Sequence, residues 1–216
     1  MKVVRIALVA VLVCTSVASA LAADDQAAAR ARYGELAAKV RAGDPGVDWQ
    51  ALRVAAVMGV VEDPQDFQVV RDGYAALNES KFEDALKDAR KVEDHNLADA
   101  DSHYVAWRPL VELGRSDEAE KERLILAALM DSIMKSGDGK SAETAWFAAT
   151  IREEYLVMQM MLNVQFKSQH SQRIGEHYFD VVAVKDESGK EQILWFNTDT
   201  DFRRMDAVTE RLKQKP

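Results

Sequence analysis

Cysteine is almost absent from this 216-residue chain, and the single one, Cys14, lies near its start. Beyond that point no disulfide, thiol nucleophile or cysteine-ligated metal centre is available, so the fold must stand on packing alone. A lipid-attachment role for Cys14 is disfavoured by Val13 before it, which is bulkier than the small residue such a site takes. Long apolar runs are scarce too. Ile6 to Val13 stops far short of the roughly 20 residues that a helical span requires. Positive charge is in deficit, with 28 Lys and Arg against 36 Asp and Glu and a net charge of -8. No basic stripe interleaved with aromatics relieves that deficit, so a phosphate backbone would be repelled and nucleic acid is excluded as a partner.

What is present at the start is a secretory layout. Lys2 and Arg5 precede the apolar stretch Ile6 to Val13, and Ala18-Ser19-Ala20 and Ala20-Leu21-Ala22 each offer a small-x-small cleavage site. The expectation is a signal peptide over residues 1–22, export to the periplasm or the cell exterior, and no membrane span after cleavage.

The next stretch, residues 23–135, has helical periodicity. Tyr33, Leu36 and Val40 share one face ahead of an Asp44-Pro45-Gly46 turn, and Leu52 to Val60 suggests a short helix after it. Phe67, Val70, Tyr74 and Leu77 recur at intervals of 3, 4 and 3, as one face of a helix does. Phe82, Ala85, Ala89 and Val92 repeat the pattern. Tyr104, Trp107 and Val111 mark a further helix, in which Pro109 should introduce a kink by removing an amide donor. Leu126, Leu129 and Ile133 mark another, with Ser116 as its expected cap. Ser80 to Ala85 aligns with Gly114 to Ala119. Their offset is the period of a tetratricopeptide unit, about 34 residues. Such a unit is a helical hairpin that buries its apolar face by stacking on a neighbour. Ala85 and Ala119 stand where a small side chain lets helices approach. Phe82 is expected between the hairpins, near Leu77 and Val92.

Residues 136–216 change character. Ser136-Gly137-Asp138-Gly139-Lys140-Ser141 is a polar, glycine-rich connection. Ala145 to Ile151 suggests a short strand, and Glu153 to Leu162 a helix with Tyr155, Met158 and Leu162 inward. From Val164 the period falls to two. Val164 to His170, His177 to Val184 and Gln192 to Phe196 read as three antiparallel strands, the last two joined by a turn at Asp186 to Lys190. Asp206 to Leu212 adds a terminal helix. The fold class is therefore α+β: tetratricopeptide-like helical hairpins followed by a small antiparallel sheet.

Several segments carry candidate chemistry. Gly139-Lys140-Ser141 ends like a phosphate-binding loop, but Met134 occupies the position where that motif needs its first glycine. A turn built by Gly137 and Gly139, with Asp138 bonding its amides, is the favoured account of Ser136 to Ser141. Asn197, Asp199 and Asp201 have the alternate spacing of calcium-loop ligands without that loop's glycine and glutamate. His170 and His177 are candidate zinc ligands if they meet across a hairpin, near Glu176 or Asp180. No Gly-x-Ser-x-Gly elbow is present, and no cofactor is implied.

The run Asp131 to Thr150 resembles a family of exported bacterial proteins known only as a domain of unknown function. So do Glu153-Glu154-Tyr155, Tyr178-Phe179-Asp180-Val181 and Trp195-Phe196-Asn197-Thr198-Asp199, and upstream His103-Tyr104 and Leu113-Gly114. Trp107 to Pro109 departs from that pattern. The resemblance implies a tetratricopeptide-like helical part joined to a small sheet, and it carries no catalytic residue. The functional expectation is a non-enzymatic exported binding or scaffold protein with a protein or peptide partner. The alternative is a small periplasmic hydrolase or metal-dependent enzyme with its site near residues 136–141, drawing on Asp138, His170 and His177.

Overall fold

The computed structural model describes residues 24–213, apart from 60 and 62; the expected signal peptide lies outside the described residues. Six helices come first: α1 over residues 24–41, α2 (Trp49–Met58), α3 (Asp66–Asn78), α4 (Phe82–Glu93), α5 (Ala100–Glu112) and α6 (Ser116–Met134). A two-residue strand β1 (Trp146–Phe147) and helix α7 (Ile151–Leu156) follow, with one π-helical turn at Val157–Met161. Strands β2 (Gln165–Ile174), β3 (His177–Lys185) and β4 (Glu191–Asn197) lead into α8 (Asp199–Lys213). The sheet order is β1-β4-β3-β2; β1 runs parallel to β4 and the other pairings are antiparallel. A stack of tetratricopeptide-like hairpins thus precedes a small, mostly antiparallel sheet.

The repeat offset is physical. α3 and α5 start one tetratricopeptide period apart, at Asp66 and Ala100, and so do α4 and α6, at Phe82 and Ser116. Between the two hairpins, Val70, Ala85, Leu86, Ala89, Val92, Val105, Ala106, Leu110 and Ala119 form one apolar cluster. Ala85 and Ala119 are both buried, as the spacing requires. A second cluster runs from α1, α2 and α6 into the sheet, joining Leu36, Leu52, Leu129 and Ile133 to Leu156, Val182 and Phe196. Each fully buried side chain of this kind contributes roughly 1.5–3 kcal/mol.

Several expected faces are rotated. On α3 the buried positions are Asp66, Val70 and Gly73, a stripe turned about 100° from Phe67 and Tyr74, one residue on a helical wheel. Phe67 is 55% exposed. On α5 the interior takes Ser102, His103, Val105, Ala106, Pro109 and Leu110, leaving Val111 47% exposed and Tyr104 and Trp107 half-buried. Phe82 is likewise only half-buried, because Ala85, Leu86, Ala89 and Val92 occupy the seam instead. α5 continues through Pro109 to Glu112. Ser116 is the first residue of α6 rather than its cap; Arg115 holds the cap position without a side-chain bond. Around α7 the inward residues include Glu153 and Glu154 beside Leu156, Val157 and Met158, with Tyr155 half-buried.

Candidate functional site

The 136–141 loop is held by its own hydrogen bonds. Asp138 Oδ1 accepts from the Lys140 amide at 3.1 Å and from Thr144 Oγ1 at 2.6 Å, and Oδ2 accepts from Lys140 Nζ at 2.9 Å. Those bonds, led by the one from Thr144, lower the Asp138 pKa to about 2. The amides of Asp138 and Gly139 both donate to the Thr144 carbonyl, and Trp195 N–H donates to the Gly139 carbonyl. Ser136 Oγ donates to Ile133 O at 2.6 Å and accepts from Phe147 N at 2.7 Å. Gly139 has φ +66°, and a Cβ there would fall 2.3 Å from the Trp146 ring. The Lys140 side chain is exposed at the loop surface, paired with Asp138.

The two histidine candidates do not meet. In the β2–β3 ladder His170 lies opposite Val181, whereas His177 lies opposite Ile174 beside the turn. His177 Nδ1 instead lies 2.6 Å from Asp199 Oδ2. Asp199 also accepts from the Tyr178 amide at 2.7 Å, its own amide donates to Asn197 Oδ1 at 3.1 Å, and Asp201 pairs with Arg204 at 3.0 Å. Asn197, Asp199 and Asp201 are thus tied into the β4–α8 junction by protein partners.

Between the hairpins lies a cluster that the spacing of histidines alone does not disclose. Glu93 ends α4, His103 sits in the first half of α5, and Glu122 lies in α6. Their ligating atoms fall within 4.8 Å of one another, and all three residues are buried. His103 Nδ1 is 2.6 Å from Glu122 Oε2 and 3.4 Å from Glu93 Oε1, while its Nε2 is 3.1 Å from the Leu97 carbonyl. Arg90 bridges the carboxylates from outside, 2.5 Å from Glu93 Oε2 and 2.5 Å from Glu122 Oε1. Burial drives the Glu93 pKa up to about 7, against the lowering effect of His103 and Arg90. Burial also opposes charge on Glu122 and His103. There the His103–Glu122 hydrogen bond and the surrounding charges prevail, so Glu122 is lowered and His103 raised. A sequence signal for this cluster exists. Glu122 interrupts the apolar line Ala119, Leu126, Leu129, and Glu93 continues the line of Ala85 and Ala89 at helical spacing.

Two more polar networks join the helical and sheet parts. Arg53 of α2 donates to Glu153 Oε2 at 2.5 Å and to Ser132 Oγ at 3.0 Å. Arg152 of α7 reaches Asp99 at 2.6 Å and Asp101 at 2.7 Å, and Asp101 accepts from Tyr74 Oη at 2.8 Å. A cleft of about 40 Å³ lies between them, bounded by Arg53, Asp99, Arg152 and Glu153. That is room for a few waters, at about 10–15 Å³ each. Deeper in, Gln169 donates to both Glu154 at 3.1 Å and Asp180 at 2.6 Å. Burial, then the Asp180 charge, raises the Glu154 pKa to about 9.

Aromatic rings meet along α3 and α5. Tyr74 stacks on Tyr104 with ring centroids 5.8 Å apart, and Tyr104 meets Trp107 edge-on at 6.1 Å. Phe67 lies two helical turns before Tyr74 on α3, and Val111 two turns after Tyr104 on α5. Arg71 sits over the Phe67 ring and Arg108 over Trp107. A seam of half-buried Tyr74, Tyr104 and Trp107, flanked by exposed Phe67, Val111, Arg71 and Arg108, therefore runs along α3 and α5.

Fold and surface together define a small α+β protein of stacked tetratricopeptide-like hairpins closed by a sheet. The chain belongs to the family described as "Domain of unknown function (DUF4919)", whose model matches residues 61–206. No curated protein and no solved structure matches it. Among the described residues no helix is long and apolar enough to cross a membrane.

Proposed function

We propose that this protein is a non-enzymatic binding or scaffold module, exported to the periplasm or the cell exterior, that holds a protein or peptide along α3 and α5. The observation that carries the reading is the seam of Phe67, Tyr74, Tyr104, Trp107 and Val111, rimmed by Arg71 and Arg108. Tryptophan, tyrosine and arginine are enriched among interface hot spots, and the two aromatics bury large areas with little rotamer loss. Stacked hairpins present such residues from successive helices to one ligand. Export rests on the layout of residues 1–22, and a cysteine-free remainder is compatible with either side of the envelope.

The test is selection of peptides from a displayed library against the chain lacking residues 1–22, followed by calorimetric titration. Phe67→Ala should weaken the selected peptides about tenfold or more while leaving Tm within a few degrees. Trp107→Ala should weaken them as much while also lowering Tm, because its ring packs on the core. Selected peptides that bind both variants undiminished would place the binding surface elsewhere and sink the reading.

A further inference from the structure

We infer that Glu93, His103 and Glu122 hold one divalent transition-metal ion, zinc above all, as a clamp between the two helical hairpins. This inference is independent of the aromatic seam. Glu93 belongs to the second helix of the first hairpin, whereas His103 and Glu122 come from the two helices of the second. An ion bound by all three would therefore add a joint between units that otherwise meet through apolar packing and the Arg90–Glu122 pair.

Four features point to a ligand. The first is an orphan: Glu93 is 5% exposed, and its Oε1 is buried without a hydrogen-bond partner. Such an atom is costly unless something completes it. It lies 3.4 Å from His103 Nδ1. Second, Arg90 engages Glu93 Oε2 and Glu122 Oε1, so the opposite oxygen of each carboxylate is turned toward the imidazole. Third, the Leu97 carbonyl takes the proton of His103 Nε2. This outer-shell bond orients metal-binding imidazoles, so that an ion at Nδ1 has to displace only the proton shared with Glu122. Fourth, the spacing fits. Ligand bonds of about 2.0–2.2 Å in a tetrahedron set ligand atoms about 3.4 Å apart. The Glu93–His103 separation already has that value, and the His103–Glu122 contact of 2.6 Å needs to open by roughly 0.8 Å.

The donor set chooses the class of ion. One imidazole nitrogen with two carboxylate oxygens suits zinc and its first-row neighbours, while magnesium and calcium take oxygen. Once Glu93 and His103 give up their protons, two carboxylates against one guanidinium leave a net negative charge for a cation to balance. A water would complete the tetrahedron.

The full chain lacking only residues 1–22, without a histidine tag, is stripped with chelator and titrated with zinc by calorimetry and with cobalt by its visible d–d absorption. The expected result is one equivalent per chain, tetrahedral cobalt intensity, and a Tm rise of about 5–10 °C at metal ~100-fold above Kd. Glu93→Gln keeps the side-chain shape and the Arg90 contact, and should lose at least tenfold in affinity; His170→Ala and His177→Ala should bind as the parent does. Absence of binding heat and of any Tm rise in the parent protein would overturn the site, leaving a proton-held network between the hairpins. Binding abolished by His177→Ala and unchanged by Glu93→Gln would overturn it equally, by moving the metal to the His177–Asp199 surface. Because the parent protein decides the first outcome, a poorly folding variant does not rescue the idea.

Discussion

Ser80 and Gly114 occupy the same left-handed turn in successive hairpins, with φ of 58° and 71°, one repeat period apart. Each follows the first helix of its hairpin, and the capping bonds repeat. Lys81 N–H donates to Ala76 O and Ser80 N–H to Leu77 O; Arg115 and Gly114 donate in the same way to Leu110 and Val111. Glycine enters this region without a Cβ clash, whereas serine is strained there. Ser80→Gly should therefore stabilise the protein by about 0.5–1 kcal/mol, and Gly114→Ser should destabilise it by a similar amount. Urea unfolding of both variants checks this; a destabilised Ser80→Gly would show that the serine hydroxyl matters more than the backbone.

The rotated helix faces give a contrasting pair. Leu110 is fully buried between the hairpins, so Leu110→Ala should cost about 2–5 kcal/mol through lost transfer energy and a residual cavity. Phe67, although apolar and in phase with Tyr74, lies at the surface, and Phe67→Ala should move stability by less than about 0.5 kcal/mol. Equal losses in a denaturation series would mean that the α3 face has been assigned wrongly.

The repeat, the strand order of the hairpin and the division between helical and sheet parts were legible because each follows from periodicity that backbone geometry imposes. Which of two neighbouring stripes faces inward was not legible on α3 and α5. Phe67-Tyr74 and Val70-Leu77 are both apolar, and the choice depends on tertiary contact such as the approach of α5 Val105 to Gly73. The Glu93–His103–Glu122 cluster comes from three helices, so no local spacing announces it; only the misplaced charges in the apolar lines of α4 and α6 hint at it. His170 and His177 failed to meet for a similarly simple reason. A tight turn at Gly175-Glu176 sets His177 opposite Ile174, and the same register sets His170 opposite Val181, further along the ladder.

The 136–141 loop separates backbone from side-chain roles. Gly139 combines a positive φ with a Cβ direction that runs into the Trp146 ring. Gly139→Ala should cost at least about 2 kcal/mol from strain and displaced packing. Lys140→Ala, with its ammonium at the surface, should leave the unfolding midpoint where it is. A Lys140→Ala variant that unfolds as early as Gly139→Ala would show that the ion pair with Asp138, not the turn geometry, holds the loop.

Glu154 gives the pH dependence. Burial and then the facing Asp180 raise its pKa from 4.5 to about 9, so the folded protein keeps a proton on Glu154 that the unfolded chain has already released. Between those two values the folded state binds more protons than the unfolded one, and stability must fall as pH rises. Below about 4.5 the contribution is fully present, and above about 9 it has been lost. Glu154→Gln carries no titrating group and retains a side chain able to pair with Gln169. Its stability relative to the parent should therefore improve from about pH 5 to about pH 8.5 by at least about 1 kcal/mol, since a tenfold change in proton affinity corresponds to about 1.4 kcal/mol. Chemical denaturation of both proteins at the two pH values measures the difference directly. Parallel stability profiles would mean that Glu154 is ionised in the folded protein at neutral pH, with the Gln169 amide carrying its charge.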